Sequence, residues 1–533
     1  MRLLGLTALL PLHLAVAADT TADVSSAAIY TLSEVESQID AYLDQTQSQD
    51  DAGIAARTLP SGCALACGFL SFTLRKYLSY PDSAEYQFQE SQYWSQQQAS
   101  AEPACRFAPA SPDHVSLAVL TSRVTKCEFA VKSGGHAAFA GASNADGGLT
   151  IDLKNLNELT VSGDQTQTSL GAGNLWYDVY TQLEPQGLTV IGGRVSAIGV
   201  GGLTLGGGIS FFSNRYGWAC DNVNAYQVVF ADGSVRKVTP SSYSDLYWAL
   251  RGGGNNFGIV TRFDLATYPL EDLWAGAQTF IYSDETSAAI NDAFYHLGVN
   301  SAEDPYAQVI IAYAYAQAQD LYVIASDLQY SKPEPNPAIL KNFTSIPGAI
   351  ADTMRIVDLP NLTIEFNNTN PGGFRQSYWT LTVGNDADLM GEMVAIYKDE
   401  VEKIKDAPGI VPSAVFQIIT TEMASHFAKN GGNPLGLDGK APLNILNIAI
   451  SWSDAADDER ILAGAQSMVD RSTAAAKARG LDHPFLYQNY AALQQDVFAS
   501  YGEENLAKLK KISAKYDPAQ VWQKLQKGYF KLG

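Results

Sequence analysis

The sequence is poor in basic residues and in histidine, and each shortage excludes a class of function. Only 35 lysines and arginines stand against 56 aspartates and glutamates in 533 residues, which gives a formal net charge of −21 at pH 7. Nucleic acids and anionic membranes select basic patches, so neither is an expected partner. The six histidines are scattered without the spacing of metal ligands, and we therefore expect no metal site.

Long apolar runs are also missing beyond the first residues. There, Met1-Arg2 precedes an apolar run at 3–16 and a small-residue exit, which is the pattern of a secretory signal cleaved after Ala17 or Ala18. No other run approaches the roughly 20 apolar residues that a membrane span requires. We expect a soluble, secreted glycoprotein with a signal peptide at 1–18, and three Asn-x-Ser/Thr triplets agree with export: Asn342, Asn361 and Asn367.

Cysteine is scarce too, and its number is odd. Five cysteines fit an oxidising compartment, and the absence of a Cys-x-x-Cys pair disfavours zinc and thioredoxin-type sites. The spacing does not determine the connectivity. Our prediction joins Cys63 to Cys67 and Cys105 to Cys127 and leaves Cys220 unpaired.

Glycine, by contrast, is plentiful, and two glycine-rich loops stand out. The first, Ser133-Gly134-Gly135-His136, lies between β-rich runs at 129–132 and 149–153. Glycines let backbone amides approach an anion closely, and the pyrophosphate of a nucleotide cofactor would fit such a loop. Taken alone, the motif is equally compatible with an ordinary glycine-rich hairpin loop and a surface histidine.

The second glycine-rich run, 192–208, contains only one charged residue. A Rossmann fingerprint would need its third glycine at Thr204, so nicotinamide binding is disfavoured. The run is too apolar for a linker and suits a backbone that lies flat against a large planar cofactor. Serine-hydrolase chemistry is disfavoured as well, because the chain has no Gly-x-Ser-x-Gly elbow.

The remaining patterns divide the chain. Residues 19–80 are polar and helix-prone and form a predicted N-terminal arm. A first domain mixes strands and helices and closes near Pro269, and strands alternate with helices from 271 to 482. We predict that this second domain has an antiparallel sheet covered by helices on one face and that it binds substrate. A helical tail follows at 483–533.

Five ordered motifs resemble one family. They are the Lys-Ser-Gly-Gly-His sequence ending at His136, the glycines at 199–208, Tyr216-Gly-x-x-x-Asp-Asn-Val, Arg-Gly-Gly-Gly-Asn-Asn-Phe-Gly at 251–258 and Tyr487-x-Asn-Tyr. In this order they resemble the berberine-bridge-enzyme-like flavoproteins of the vanillyl-alcohol oxidase / p-cresol methylhydroxylase (PCMH) superfamily, especially secreted fungal members. The resemblance is strong from Tyr93 to Pro269 and good over the last fifty residues.

The resemblance implies an α+β fold with a two-part PCMH-type FAD-binding domain, at 81–270 and 483–533, into which the substrate domain at 271–482 is inserted. It implies that the 131–143 loop holds the FAD pyrophosphate and that His136 is bonded to the flavin. Val195 stands where many relatives carry a second, cysteinyl link, so the resemblance implies histidyl attachment alone. The implied cofactor-binding residues are Val131, Lys132, Ser133, Gly134, Gly135, His136, Ala137, Ser143, Val195, Gly199, Gly201, Gly202, Gly206, Gly207, Ile259, Val260 and Asn489.

Catalysis in this family removes a proton from the substrate while hydride passes to the flavin. Tyr216 and Tyr487 match positions where tyrosines face the flavin in relatives, and each is a candidate base. Asn447 stands five residues before Trp452, where relatives place Glu or Gln. An amide orients a substrate but cannot accept its proton, so the base role falls to a tyrosine.

The resemblance therefore implies a secreted FAD-dependent oxidase that takes a hydride from an alcohol, amine or secondary metabolite. Its substrates would be that small molecule and O₂, which reoxidises the flavin and gives H₂O₂. An oxidative cyclase or dehydrogenase is the nearest alternative, followed by an oligosaccharide oxidase, which Val195 disfavours. A flavin-binding glycoprotein without turnover is the alternative from another class.

Overall fold

The computed structural model describes residues 29–50 and 62–533. The predicted signal peptide at 1–18 lies outside these residues, as does part of the predicted arm. Within the described ranges, no helix is both long and apolar enough to cross a bilayer. The predicted domain boundaries stay predictions, but the sheets and cores are well defined.

Nineteen strands form three sheets in the described residues. In chain order they are β1 Leu78–Ser79, β2 Cys105–Phe107, β3 Phe129–Lys132, β4 Leu149–Asp152, β5 Leu159–Val161, β6 Gln167–Gly171, β7 Leu188–Val190, β8 Val223–Val229, β9 Val235–Val238, β10 Ile259–Pro269, β11 Leu273–Ile281, β12 Ala307–Ala316, β13 Leu321–Tyr330, β14 Ala351–Asp352, β15 Arg355–Val357, β16 Arg375–Gly384, β17 Val411–Ile419, β18 Leu443–Trp452 and β19 Asp482–His483.

The α-helices of the described residues are, in chain order, α1 Leu32–Asp50, α2 Cys63–Leu74, α3 Ala84–Glu90, α4 Gln96–Ala99, α5 Pro112–Thr125, α6 Trp176–Leu183, α7 Val200–Leu205, α8 Ser213–Tyr216, α9 Ser244–Leu250, α10 Asp284–Asn300, α11 Lys341–Thr344, α12 Leu359–Asn368, α13 Ala387–Val401, α14 Thr421–Ser425, α15 Asp458–Ala478, α16 Val497–Ser500, α17 Glu503–Tyr516 and α18 Val521–Lys524.

The first sheet, in the order β1-β2-β4-β3, presents the first glycine loop. β2, β4 and β3 run parallel, and α5 connects β2 to β3. This helix begins at Pro112, because the Ser111 hydroxyl accepts a hydrogen bond from the His114 amide and Pro112 suits the first turn of a helix. It ends at Lys126, whose φ of 59° is left-handed. The chain then enters β3 and emerges at Ser133, where the loop begins.

The second sheet is antiparallel and shares its core with the end of the chain. β10 pairs with β6, β7 and β8. β8 pairs with β9 across the Asp232-Gly233 turn, in which Gly233 has a φ of 83°. Phe485, Trp522 and Phe530 from the last fifty residues are buried in the same hydrophobic core. The two glycine loops and the end of the chain therefore belong to one packed unit.

The third sheet has nine antiparallel strands, with a main order of β14-β11-β13-β12-β17-β18-β16-β19 and with β15 beside β11. Its helices α10, α13 and α15 bury residues such as Phe294, Met393 and Met468 in a second core with the sheet. The predicted α+β fold, with an antiparallel sheet covered by helices on one face, is confirmed.

The predicted disulfides are wrong. Cys63 is bonded to Cys127 and Cys67 to Cys105, whereas Cys220 is free and buried as expected. Cys63 and Cys67 lie one turn apart on α2, so their side chains emerge side by side from one helix face. Each therefore bonds to a cysteine of the first sheet or its flanking loop, and the two bonds hold α2 against that sheet.

Candidate functional site

A cavity of about 530 Å³ lies between the two glycine loops and the third sheet. The sheet presents to it the face that the helices α10, α13 and α15 leave uncovered. The opposite wall comes from the glycine loops, the start of β10 and the segment 487–491. Residues far apart in the chain thus meet around one cavity.

The two glycine loops touch backbone to backbone. A Cβ atom added at Gly134 would lie 2.4 Å from the Gly199 amide nitrogen, and one added at Gly199 would lie 2.2 Å from the Gly134 nitrogen. The Ser133 hydroxyl holds this contact by donating to the Ala172 carbonyl at 2.6 Å and accepting from the Gly201 amide at 3.1 Å. The spacing leaves no room for side chains, and it exposes the backbone to the cavity.

His136 stands at one side of the cavity with its ring stacked on Trp94. The ring centroids are 4.3 Å apart and the planes differ by 11°. The indole is fixed in turn by a 3.1 Å hydrogen bond from its nitrogen to the Asn370 carbonyl and by contact with Tyr378. Burial lowers the pKa of His136 to about 4, so the imidazole is neutral. Its buried Nε2 atom has no hydrogen-bond partner among the described residues.

Tyr487 closes another part of the wall. Its hydroxyl accepts hydrogen bonds of 3.1 Å from the amides of Gly208 and Ile209 and from the side-chain amide of Asn489. Three donors favour the phenolate, but burial outweighs them and raises the pKa of Tyr487 above its usual value. At neutral pH the phenol therefore keeps its proton.

Arg194 links the second glycine run to the third sheet and to the tail. Its guanidinium donates to the Gln417 side-chain oxygen at 2.6 Å and to the Tyr490 hydroxyl at 2.8 Å. Gln417 also donates to that hydroxyl at 3.0 Å. The two Arg194 contacts join residues more than 200 positions apart, and together the three bonds fix the relative position of the two cavity walls.

The sheet face that lines the cavity is made mainly of small side chains, and we call it the cavity floor. Its alanines lie on β11, β12, β13 and β18. Because these side chains project only a short distance from the sheet, they leave space above it. The floor residues are Ala277, Thr279, Ile310, Ala312, Ala314, Ala325, Asp327, Tyr378, Val411, Ser413, Val415, Gln417, Asn447 and Ala449.

Most of the predicted site residues line this cavity. Of the predicted catalytic residues, Tyr487 and Asn447 do so. The predicted cofactor-binding residues that line it are Val131, Ser133, Gly134, Gly135, His136, Ala137, Ser143, Val195, Gly199, Gly201, Gly202, Ile259, Val260 and Asn489.

Four predicted residues lie behind the wall instead. Lys132 is buried 3.6 Å from an Asp152 carboxylate oxygen and lies over a tyrosine ring. Gly206 packs against Asn489 so closely that an added Cβ would lie 2.0 Å from its side-chain oxygen, and Gly207 similarly packs against an indole. Tyr216 is stacked on a neighbouring tyrosine ring and accepts a hydrogen bond from Arg215. The structure therefore places Tyr487, and not Tyr216, at the cavity.

Sequence reasoning missed Asp327, Arg194 and Gln417 as site residues. Arg194 had one visible signal, because it is the single charge in the second glycine run. Asp327 also had a signal in the sequence, because it is a charged residue among the apolar and small residues of β13. It faces the same way as Ala325. Neither signal shows what the residue faces, which depends on the order of the strands.

Comparison with known proteins agrees with this geometry. Residues 103–239 match the model of an FAD binding domain. The chain is 38% identical over 485 residues to the FAD-dependent monooxygenase tpcD of Cochliobolus heterostrophus, covering 88% of this chain and 93% of the relative. It is 35% identical to the bifunctional solanapyrone synthase of Alternaria solani, with 88% and 90% covered.

Among solved structures, the BBE-like 1 protein of Physcomitrella patens superposes with a TM-score of 0.67 at 19% identity, covering 85% of this chain and 97% of that one. At this identity the likeness concerns the fold. The residues around the cavity also fit a flavin nucleotide. The contact between the two glycine loops leaves backbone amides open to a phosphate. The Nε2 atom of His136 has no hydrogen-bond partner among the described residues and is free to form a bond.

Proposed function

The chain belongs to the berberine-bridge-enzyme-like FAD-dependent oxidoreductases of the vanillyl-alcohol oxidase / PCMH superfamily, and from that premise we propose that it is a secreted oxidase. In this proposal it takes a hydride from an alcohol, amine or other secondary metabolite. Its FAD is attached through His136 alone, and O₂ reoxidises the flavin with release of H₂O₂.

The observation that carries the proposal is the orphaned Nε2 of His136 beside a cavity with a glycine cradle on one wall. A buried ring nitrogen without a partner is costly in a purely structural histidine, because it loses its bond to water without a replacement. Stacking on Trp94 holds the neutral ring in one orientation. A covalent bond at this nitrogen accounts for both features.

Each wall has a separate task in the proposed reaction. Bound FAD supplies the acceptor for two electrons. The amides of the glycine loops hold its phosphates, while Asn447 and Gln417 on the cavity floor orient the substrate through hydrogen bonds. The phenol of Tyr487 keeps its proton at neutral pH, so it acts as a hydrogen-bond donor or orienting group in the resting state.

The first experiment measures whether flavin stays with the polypeptide after acid denaturation, by absorbance and fluorescence. We expect retention in wild type and loss in His136→Ala. His296→Ala is the matched control, because His296 is half-exposed on α10 and is absent from the cavity lining. This variant should retain the flavin. A natively folded wild type without flavin would overturn the flavoenzyme proposal, and flavin retained by His136→Ala would overturn the attachment site.

A second candidate function is monooxygenation, which the similarity to the FAD-dependent monooxygenase tpcD favours. Oxidation and monooxygenation differ in the fate of O₂. In the oxidase, H₂O₂ appears in amounts equal to product and no oxygen atom from O₂ enters the product. Turnover under labelled O₂ with product mass spectrometry separates the two, and turnover that requires an artificial electron acceptor would indicate a dehydrogenase.

Export is part of the proposal and is supported by the two disulfides. Sequencing the N-terminus of protein recovered from culture medium should find a start at Ala18 or Asp19. Peptide mass spectrometry of the same sample tests glycosylation at Asn342, Asn361 and Asn367. Intact residues 1–18 on a protein retained in the cell would contradict export.

A further inference from the structure

Only two of the residues that line the cavity, within the described part of the chain, carry a carboxylate or a guanidinium: Asp327 and Arg194. Arg194 is bound to Gln417 and Tyr490. The Asp327 side chain has no hydrogen bond or ion pair to any described residue. The cavity floor therefore holds one carboxylate that serves no visible purpose in the fold.

The strand register explains how Asp327 is exposed to the cavity. On β13 it lies between Ala277 of β11 and Ile310 of β12, its cross-strand partners. Ala277 has only a methyl group, and Ala325, two residues earlier on the same face, is equally small. No large side chain on β11 or at the preceding position of β13 covers the carboxyl from above.

Asp327 also lies far across the floor from the proposed attachment residue. His136 stacks on Trp94, which contacts Tyr378 of β16. The sheet order places β16 four strands from β13, which is about 19 Å at the usual strand spacing. This distance exceeds the length of a flavin ring system. A flavin held at His136 therefore leaves space for a second molecule towards Asp327.

The charges around Asp327 do not neutralise it. Burial and, to a smaller extent, the nearby Glu365 on α12 raise the pKa of Asp327 to about 7, although Arg194 opposes them. Glu365 is itself paired with Arg355 at 2.7 Å. β11 and β12 contribute only Ala277 and Ile310 beside the carboxyl. Asp327 is half-buried, and a carboxylate that is partly withdrawn from water without a partner is unfavourable. A ligand that donates a hydrogen bond or a positive charge reduces that penalty.

We propose that Asp327 is the substrate-recognition residue of this cavity, and that it accepts a hydrogen bond from an O–H or N–H group at the end of an otherwise largely apolar substrate. The low floor of alanines accommodates the apolar body, while the opposite end reaches the flavin. This inference rests on the proposed function, because it assigns the substrate class of the same site.

The test uses the flavin-containing protein and three probes that share one naphthalene ring: naphthylmethylamine, naphthylmethanol and methoxymethylnaphthalene, of which the ether carries one extra methyl group and no donor. Binding is measured from the change in flavin absorbance. At pH 8 wild type should bind a donor probe about tenfold more tightly than the ether, as expected for a hydrogen bond to a charged group. A preference for the amine alone indicates a cationic substrate, and an equal preference for the alcohol indicates a neutral hydroxyl.

The variants isolate the carboxylate. Asp327→Ala should bind all three probes equally, and Asp327→Asn should lose the amine preference because it has no charge. Glu365→Gln is the matched control, since it removes the same charge nearby and lies outside the cavity lining; it should keep the discrimination. The amine preference should also weaken from pH 8 to pH 6, because the carboxyl takes up its proton over this range.

Three results would overturn the inference: discrimination that survives in Asp327→Ala, a wild type that binds the ether as tightly as the other probes, or a wild type that binds none of the probes. The flavin content of each sample is measured in parallel by acid denaturation. A protein without flavin fails the proposed function, whereas a flavin-loaded protein without discrimination fails this inference alone.

Discussion

At the scale of single residues, the surroundings of His136 decide its chemistry. An exposed histidine is protonated at moderately acidic pH, but burial lowers the pKa of His136 to about 4 and keeps the imidazole neutral. Trp94 fixes the plane of its ring. The motif around His136 marks it as a candidate residue, and the packing supplies the neutral protonation state and the fixed orientation that the proposed attachment would require.

Position 134 requires glycine because its backbone packs against that of Gly199, and not because the loop must be flexible. Gly134→Ala would drive its Cβ to 2.4 Å from the backbone of Gly199, which cannot move aside like a flexible side chain. We expect the free energy of unfolding to fall by about 1–3 kcal/mol, as for other overpacked sites, and flavin content to fall with it. Urea unfolding measures the first and absorbance the second.

Gly163→Ala is the control for this substitution. Gly163 is exposed, and an added Cβ would meet no atom within 4 Å. It should change stability by less than about 0.5 kcal/mol. Equal effects of the two substitutions would show that the contact between the glycine loops does not exist in solution.

At the scale of elements, α2 depends on its two disulfides. The Cys63–Cys127 and Cys67–Cys105 bonds span 64 and 38 residues. Replacing either pair by serine should lower the free energy of unfolding by about 2–5 kcal/mol, because the unfolded chain gains freedom when the loop opens. The longer loop should matter slightly more. Thermal unfolding of each double variant checks the order.

Peptide mapping under non-reducing conditions tests the connectivity directly. It should recover a peptide that joins Cys63 to Cys127 and another that joins Cys67 to Cys105, with Cys220 alkylated only after unfolding because it is buried. A mapped bond between Cys63 and Cys67 would contradict the structure.

At the scale of the whole molecule, Arg251 joins the FAD-binding part to the segment that follows β17. Its guanidinium bonds Asp221 at 2.8 Å and the carbonyls of Lys429 and Gly432 at 2.6 Å. Both members of the ion pair are fully buried. Arg251→Ala leaves an unpaired buried carboxylate and should cost about 3–5 kcal/mol, measured by urea unfolding.

Two further variants keep that prediction decisive. Lys515→Ala breaks an exposed ion pair with Asp245 and should cost at most about 1 kcal/mol. Arg251→Lys keeps the charge but cannot reach all the carbonyls, so its stability should fall between wild type and Arg251→Ala. A cost for Arg251→Ala as small as that of Lys515→Ala would show that the pair does not join these parts.

The sequence by itself determined the features that are encoded over short stretches. The glycine loops, the start of α5 at Ser111 and the Asp232-Gly233 turn each depend on neighbouring residues, because backbone conformation and capping act over a few positions. The order of several such motifs was enough to identify the family and the α+β fold.

Only the tertiary structure decided which distant residues meet. The partners of Cys63 and Cys67, the placement of Tyr487 at the cavity in preference to Tyr216, and the joining of Arg194 to Gln417 all depend on how separate sheets pack. Asp327 shows the reason. The alternation of side chains along β13 predicts that Asp327 lies on the same face as Ala325. The strand order and the small residues beside Asp327 determine that this face lines a cavity.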